Sequence, residues 1–146
     1  MDKPRVLISL CLLGAQCRYD GQCKPPLAEL ALLQARFDLI PICPEQLGGL
    51  ATPRPPAERR GSRVVTASGL DVTDAYVRGA QQVLQLARQF SCRAAILKAK
   101  SPACGSGQIY DGSFSRGVAA QLLRESGLLV CDETQIGWLL AQFPDA

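Results

Sequence analysis

Four short apolar runs constrain this chain more than any other feature: Arg-Val-Leu-Ile-Ser-Leu at 5–10, Asp-Leu-Ile-Pro-Ile at 38–42, Arg-Ala-Ala-Ile-Leu at 93–97 and Leu-Leu-Val-Cys at 128–131. Each is a short apolar run that reads as a strand, and the first suits a strand buried on both faces. Helical patterns separate them. Pro25-Pro26 opens the first, tolerated in a leading turn, with Leu27, Leu30, Ala31 and Gln34 on one face and an end near Arg36. Thr73, as N-cap with Asp74 in the first turn, opens the longest, in which Tyr76, Ala80, Val83, Ala87 and Phe90 recur at helical spacing. Ser115 caps a third helix with Val118, Ala119, Leu122 and Leu123 inward and Gly127 as its stop. Asp132 with Gln135 forms a capping box for the last, over Ile136, Leu139, Leu140 and Phe143.

Alternating strands and helices predict one compact, Rossmann-like α/β domain over residues 1–146. It has a short, mainly parallel sheet of about four strands flanked by helices, with right-handed crossovers. Two stretches lie outside the alternation. Residues 48–61, with Pro53, Pro55 and Pro56, predict a long irregular loop over a strand end. Arg63 to Thr66 and Leu70 to Val72 predict a small hairpin across Ala67-Ser68-Gly69.

Composition excludes several classes. With 47% hydrophobic and 20% charged residues the chain is not disordered, and no stretch approaches the roughly 20 apolar residues needed to cross a bilayer. Met1-Asp2-Lys3-Pro4-Arg5 leads straight into a strand without the apolar core of a signal peptide, so cytoplasmic residence is expected and no membrane partner. The net charge is +3, and Arg54, Arg59, Arg60 and Arg63 are its one local concentration. That is too thin a footprint for a structural nucleic-acid partner, although RNA as a substrate stays open.

Seven cysteines and no histidine make the chemistry specific. In a reducing compartment such a count argues for metal binding or catalysis over disulfides. Without histidine, any metal rests on thiolate or carboxylate, and proton transfer falls to Glu, Asp, Lys, Tyr, Ser or Cys. Cys11 and Cys43 directly follow the first two strands, and Cys104 lies in the loop leaving the third. Ligands of open parallel sheets bind at the carboxyl ends of the strands, and the strand pattern carries these three thiols there. The alternative for each is a small buried hydrophobe. Cys92 and Cys131 suit that role, whereas Cys17 and Cys23, in a turn-rich first loop, are spare thiols, Cys17 being the better accessory ligand. Glu45, two residues beyond Cys43, is the nearest candidate acid or base. A surface ion pair with Arg54 or Arg59 is its structural alternative.

Three ordered motifs carry a resemblance over nearly the whole chain. They are Cys11-Leu12-Leu13-Gly14-Ala15-Gln16-Cys17-Arg18-Tyr19-Asp20-Gly21; Cys43-Pro44-Glu45 with Gly48-Gly49-Leu50 and Pro53-Arg54-Pro55-Pro56-Ala57-Glu58; and Leu97-Lys98 with Ser101-Pro102-Ala103-Cys104-Gly105. Together they resemble the thiouracil desulfidase family. Ala103 and Leu10 stand where the family pattern has smaller or hydroxylated residues.

The resemblance implies a [4Fe-4S] cluster held by Cys11, Cys43 and Cys104, with one iron left open to a thiocarbonyl sulfur. It implies a non-redox desulfuration of thiouracil-type compounds, in which water replaces sulfur on the ring carbon and uracil leaves. Glu45 and Ser101 are then the expected catalytic residues. Lys98, Arg54 and Asp20 are expected against substrate, with Tyr19 helping to close the pocket. The substrate class is a small thiolated pyrimidine, and thiolated transfer RNA stays open. The same thiols also suit a sulfur-relay protein or a structural metal site, and a structural zinc would want a fourth protein ligand.

Overall fold

The computed structural model describes residues 3–15, 19–21, 25–99, 101, 103–104 and 117–144. Four parallel strands form its sheet: β1 (Arg5–Ser9), β2 (Asp38–Ile42), β5 (Ala94–Leu97) and β6 (Leu129–Asp132), in the order β2-β1-β5-β6. The register pairs Ser9 with Ile42, Ile8 with Ile96 and Leu97 with Asp132, so the carboxyl ends of all four strands reach one edge. Pro41 sits in β2, an outer strand, where a missing N–H is tolerated.

Period-two alternation sends side chains to two cores. Leu7, Ala95 and Leu97 pack against α3 (Thr73–Gln89) and α4 (Val118–Glu125). Val6, Ile8, Ala94 and Ile96 pack against α1 (Leu30–Arg36) and α5 (Ile136–Ala141). Leu7, Ile8, Ile96 and Leu97 are fully buried, each contributing about 1.5–3 kcal/mol. Two-faced burial is what the unbroken apolar run of β1 predicted.

Several boundaries differ from expectation, each for a local reason. Leu10 leaves β1 and begins a 3-10 turn (Leu10–Leu13) closed by Gly14 at φ 88. The helix expected from Pro25 begins only at Leu30, because Leu27 donates its N–H to Leu12 O at 3.0 Å and ties that stretch to the turn. Thr73 is the first residue of α3 and not its cap; the Asp71 carboxylate accepts the Thr73 N–H at 2.9 Å. Phe90 lies beyond α3 and is exposed. Gln135 reaches back to the Asp132 N–H at 3.0 Å as a capping box requires, while Asp132 takes the N–H of Thr134. Ser115 lies outside the described residues.

The expected irregular loop at 48–61 is partly a strand. β3 (Ala57–Arg60) pairs antiparallel with β4 (Arg63–Thr66) across a Gly61-Ser62 turn, with Gly61 at φ 61. The segment expected to pair with β4 from the other side makes one bridge, Val65 to Asp71.

One further element positions the site. Cys43 leads into α2 (Pro44–Leu47), which lies against α3 with almost no space between backbones. A Cβ on Gly48 would stand 2.0 Å from Ala75 O, and one on Gly79 would stand 1.9 Å from Pro44 O. Arg78 adds a fork to Gly48 O, at 3.1 Å from Nε and 2.8 Å from Nη2. No helix among the described residues is long and apolar enough to cross a membrane.

Candidate active site at the carboxyl edge of the sheet

Ser9 ends β1 on the α3/α4 side of the sheet and is 2% exposed. Its hydroxyl donates to Cys104 Sγ at 3.4 Å and accepts the Lys98 N–H at 3.0 Å. It therefore joins the start of the chain to the loop after β5. Ser101 organises that loop: its Oγ accepts the N–H groups of Ala103 and Cys104, each at 3.2 Å. Ala103 O in turn accepts the Ala119 N–H at 2.8 Å, anchoring the turn to α4.

Cys104 is buried, and burial pushes its thiol up to about 12, helped by the nearby charges of Glu45 and Cys43 and opposed by hydrogen bonds from Ser9 and Ser101. Cys43 is also buried and belongs to the same neighbourhood. Cys11 is the second residue of the 3-10 turn after β1, partly exposed, and packs with Leu13, Leu27 and Leu39 toward the α1/α5 core. All three thiols thus lie on the carboxyl edge, Cys43 and Cys104 close together and Cys11 on the other side of its strand.

The Glu45 carboxylate is held by two side chains. Oε2 accepts the Tyr76 hydroxyl at 3.0 Å and meets Arg54 Nη2 at 3.2 Å. The Arg54 and Glu45 side chains are only 7% and 12% exposed, so the ion pair expected at the surface is instead buried. Arg54 also donates to Thr52 Oγ1 at 3.1 Å and Ala51 O at 3.3 Å, and its N–H reaches Tyr19 O at 2.6 Å. Buried phenols keep their proton: desolvation, then Glu45's charge, drives Tyr76 far above its ordinary range.

Glu45 and Tyr76 form one end of a cavity of about 220 Å3 beneath the β3–β4 hairpin, walled by Tyr19, Pro55, Pro56 and Ala67, with Glu58 and Arg60 at its mouth. The walls are mainly apolar and the inner end is polar, which suits a flat, polar-edged ring. Asp20 lies exposed beside Tyr19. Lys98 is turned away to Glu133 Oε2 at 2.7 Å, and Glu133 Oε1 accepts the Ala99 N–H at 2.7 Å. Cys17 and Cys23 lie outside the described residues.

Cys131 is fully buried on the α1/α5 face, paired across from Ile96, and its thiol is pushed up to about 12, chiefly by desolvation. Cys92 lies at the opposite, amino edge of the sheet, after α3. Neither shares the site.

Two contributors escaped the sequence reading. Ser9 looked like an ordinary strand residue, and Tyr76 like a core position of a helix. Period-two counting puts Ser9 on the face of Leu7 and Leu97, which was a usable signal; nothing local joined Tyr76 to Glu45.

The donor set fits a sulfur-loving metal group. Histidine is absent from the chain, and two of the three thiols are buried together beside a carboxylate. Among the described residues no three Cys, Asp or Glu side chains are close enough to hold one metal ion. A multinuclear cluster distributes its thiolates over separate irons and does not require three donors around one ion.

The profile of the 2-thiouracil desulfurase family matches residues 6–135. An uncharacterized protein of Bacillus subtilis (strain 168), YbbK, is 40% identical over 151 aligned positions, covering 92% of this chain and 99% of that one. Among solved structures, the [4Fe-4S]-dependent thiouracil desulfidase TudS matches with a TM-score of 0.91 and 44% identity, over 99% of this chain and all of the other.

Proposed function

Because the chain belongs to the 2-thiouracil desulfurase family, we propose that it hydrolyses the carbon–sulfur bond of thiouracil-type compounds, using a [4Fe-4S] cluster held by Cys11, Cys43 and Cys104. Thiouracil and water become uracil and hydrogen sulfide. The new carbon–oxygen bond comes from water, the carbon–sulfur bond breaks, and no oxidant or reductant is consumed. The observation that carries this reading is the buried pair Cys43 and Cys104 beside Glu45, at the strand ends of a fold shared with a solved desulfidase.

When bound, a cluster with three protein thiolates supplies one open iron, a soft Lewis acid for a thiocarbonyl sulfur. The protein's own groups do the rest. Apolar cavity walls, including Pro55 and Pro56, exclude bulk water from the ring. Glu45 takes a proton from the attacking water and returns it to the departing sulfur. Arg54 acts through Glu45, since its guanidinium is committed to that carboxylate and to Ala51 and Thr52. Ser101 sets the turn that presents Cys104 and hydrogen-bonds the substrate from there. Tyr19 lines the cavity with the exposed Asp20 beside it, and Lys98, ion-paired to Glu133, braces the loop after β5.

The test is anaerobic reconstitution of the full chain. A brown protein with about four irons that converts 2-thiouracil to uracil with release of hydrosulfide is the expected result. A colourless zinc protein without turnover would sink the proposal.

A further inference from the structure

Tyr76 is placed by a chain of close fits. It shares one face of α3 with Gly79, Ala80 and Val83. One turn beyond it, Gly79 lets Pro44 O approach to where a Cβ would be only 1.9 Å away. The residue after Pro44 is Glu45, and the phenol of Tyr76 meets its carboxylate at 3.0 Å. Helix contact and hydrogen bond thus fix the same short segment, the one that leaves Cys43.

Two donors, Tyr76 and Arg54, converge on one oxygen of Glu45, Oε2. Oε1 accepts no hydrogen bond from the described residues. A buried carboxylate with one oxygen doubly held is oriented, not merely neutralised. Both Glu45 and Tyr76 line the cavity beneath the hairpin, so the oriented group belongs to the wall of a space that can hold a ring.

We propose that Tyr76 is a positioning residue of the desulfuration: together with Arg54 it pins Glu45 Oε2, leaving Oε1 as the oxygen that exchanges a proton with water and the departing sulfur in the hairpin cavity. This rests on the reading of Glu45 as the proton carrier. Tyr76 keeps its own proton throughout and passes none. Its contribution is geometric, and misplacement of a catalytic group by about 1 Å costs on the order of a hundredfold in rate.

A bland account also exists, since a buried tyrosine hydroxyl usually finds some acceptor. The two accounts part in kinetics. The anaerobically reconstituted proteins to compare are wild type, Tyr76→Phe, Glu45→Gln and the double variant. Iron content is measured for each, uracil binding by calorimetry, and kcat and KM on 2-thiouracil.

For Tyr76→Phe we expect iron content and uracil affinity as in wild type, KM unchanged, and kcat down by about tenfold to a hundredfold. In the Glu45→Gln background the residual turnover should be the same with tyrosine or phenylalanine at position 76. Wild-type kcat in Tyr76→Phe, with Glu45→Gln inactive, would overturn the role of Tyr76 and leave the proton-carrier reading intact. Wild-type turnover in Glu45→Gln would overturn both. A Tyr76→Phe protein that fails to load iron, or whose loss lies wholly in KM, would also overturn it, because Tyr76 would then serve packing or binding.

Discussion

Replacing Gly79 by alanine should destabilise this protein, although alanine is the better helix former. Gly79 lies inside α3, where helix propensity alone favours alanine by about 0.8–1.0 kcal/mol. The added Cβ, however, would meet Pro44 O at 1.9 Å and Pro44 C at 2.8 Å. These are backbone atoms that no rotamer change can move. Ordinary contact begins near 3.4 Å, so α2 must retreat by about 1.5 Å. Overpacking of this kind costs about 1–3 kcal/mol and sometimes more. Taking a net loss of about 2 kcal/mol, the melting midpoint of a domain this size drops by about 4–8 °C. Thermal melts of iron-free, reduced protein by far-UV circular dichroism measure it. Gly137→Ala is the control: it lies in α5, and nothing stands within 4 Å of the new Cβ. It should stabilise the fold by up to about 1 kcal/mol and raise the midpoint slightly. Turnover should fall in Gly79→Ala, because Cys43 and Glu45 flank the carbonyl that is displaced. A Gly79→Ala protein that melts at or above wild type would refute the close-contact reasoning.

Cys11→Ser, Cys43→Ser and Cys104→Ser should each lose iron on reconstitution while Cys92→Ser and Cys131→Ser keep it, as an iron assay will tell. Arg54→Met should cost about 3 kcal/mol by stranding a buried carboxylate, and most of that should be recovered in the Glu45→Gln background; urea melts of the four proteins measure the coupling. Cys131 has an ordinary value of 9.0 and is held at about 12 in the fold. Its contribution is therefore complete below pH 9 and falls by about 1.4 kcal/mol per pH unit from there toward 12, as the unfolded chain ionises first. Cys131→Ala should flatten the alkaline slope of the melting midpoint, and an unchanged slope would assign it to other groups. Iron removal by a chelator should lower the melting midpoint of the loaded protein, since the group binds only the folded chain.

The sheet was legible because its central strands β1 and β5 are buried on both faces, and such strands announce themselves as unbroken apolar runs. β3 was not, because Ala57-Glu58-Arg59-Arg60 has neither apolar content nor alternation and owes its extension to pairing with β4. The Gly61-Ser62 pair was the available signal, a two-residue hairpin turn hidden behind a proline-rich stretch. The start of α1 was misread because proline in a first turn is permissive, not decisive, and the backbone bond from Leu27 to Leu12 outweighed it. At the site, cysteines at strand ends were readable from topology alone. The Glu45–Arg54 pair was foreseen as a surface contact, yet its burial depends on α2 lying against α3, which two distant glycines, Gly48 and Gly79, determine. Tyr76 needed the same contact, and no local pattern encodes it.

The strand order has a consequence for how such a protein matures. β1 lies between β2 and β5, so the three thiols proposed as ligands hang from neighbouring strands that are distant along the chain. During synthesis Cys11 and Cys43 emerge long before Cys104, and the Ser9 hydroxyl waits for a sulfur encoded near the far end. No chain that stops short of residue 104 can offer the complete set. Cofactor delivery is thereby deferred until β1, β2 and β5 have all been made, and iron occupancy becomes a mark that distant parts of the chain have come together.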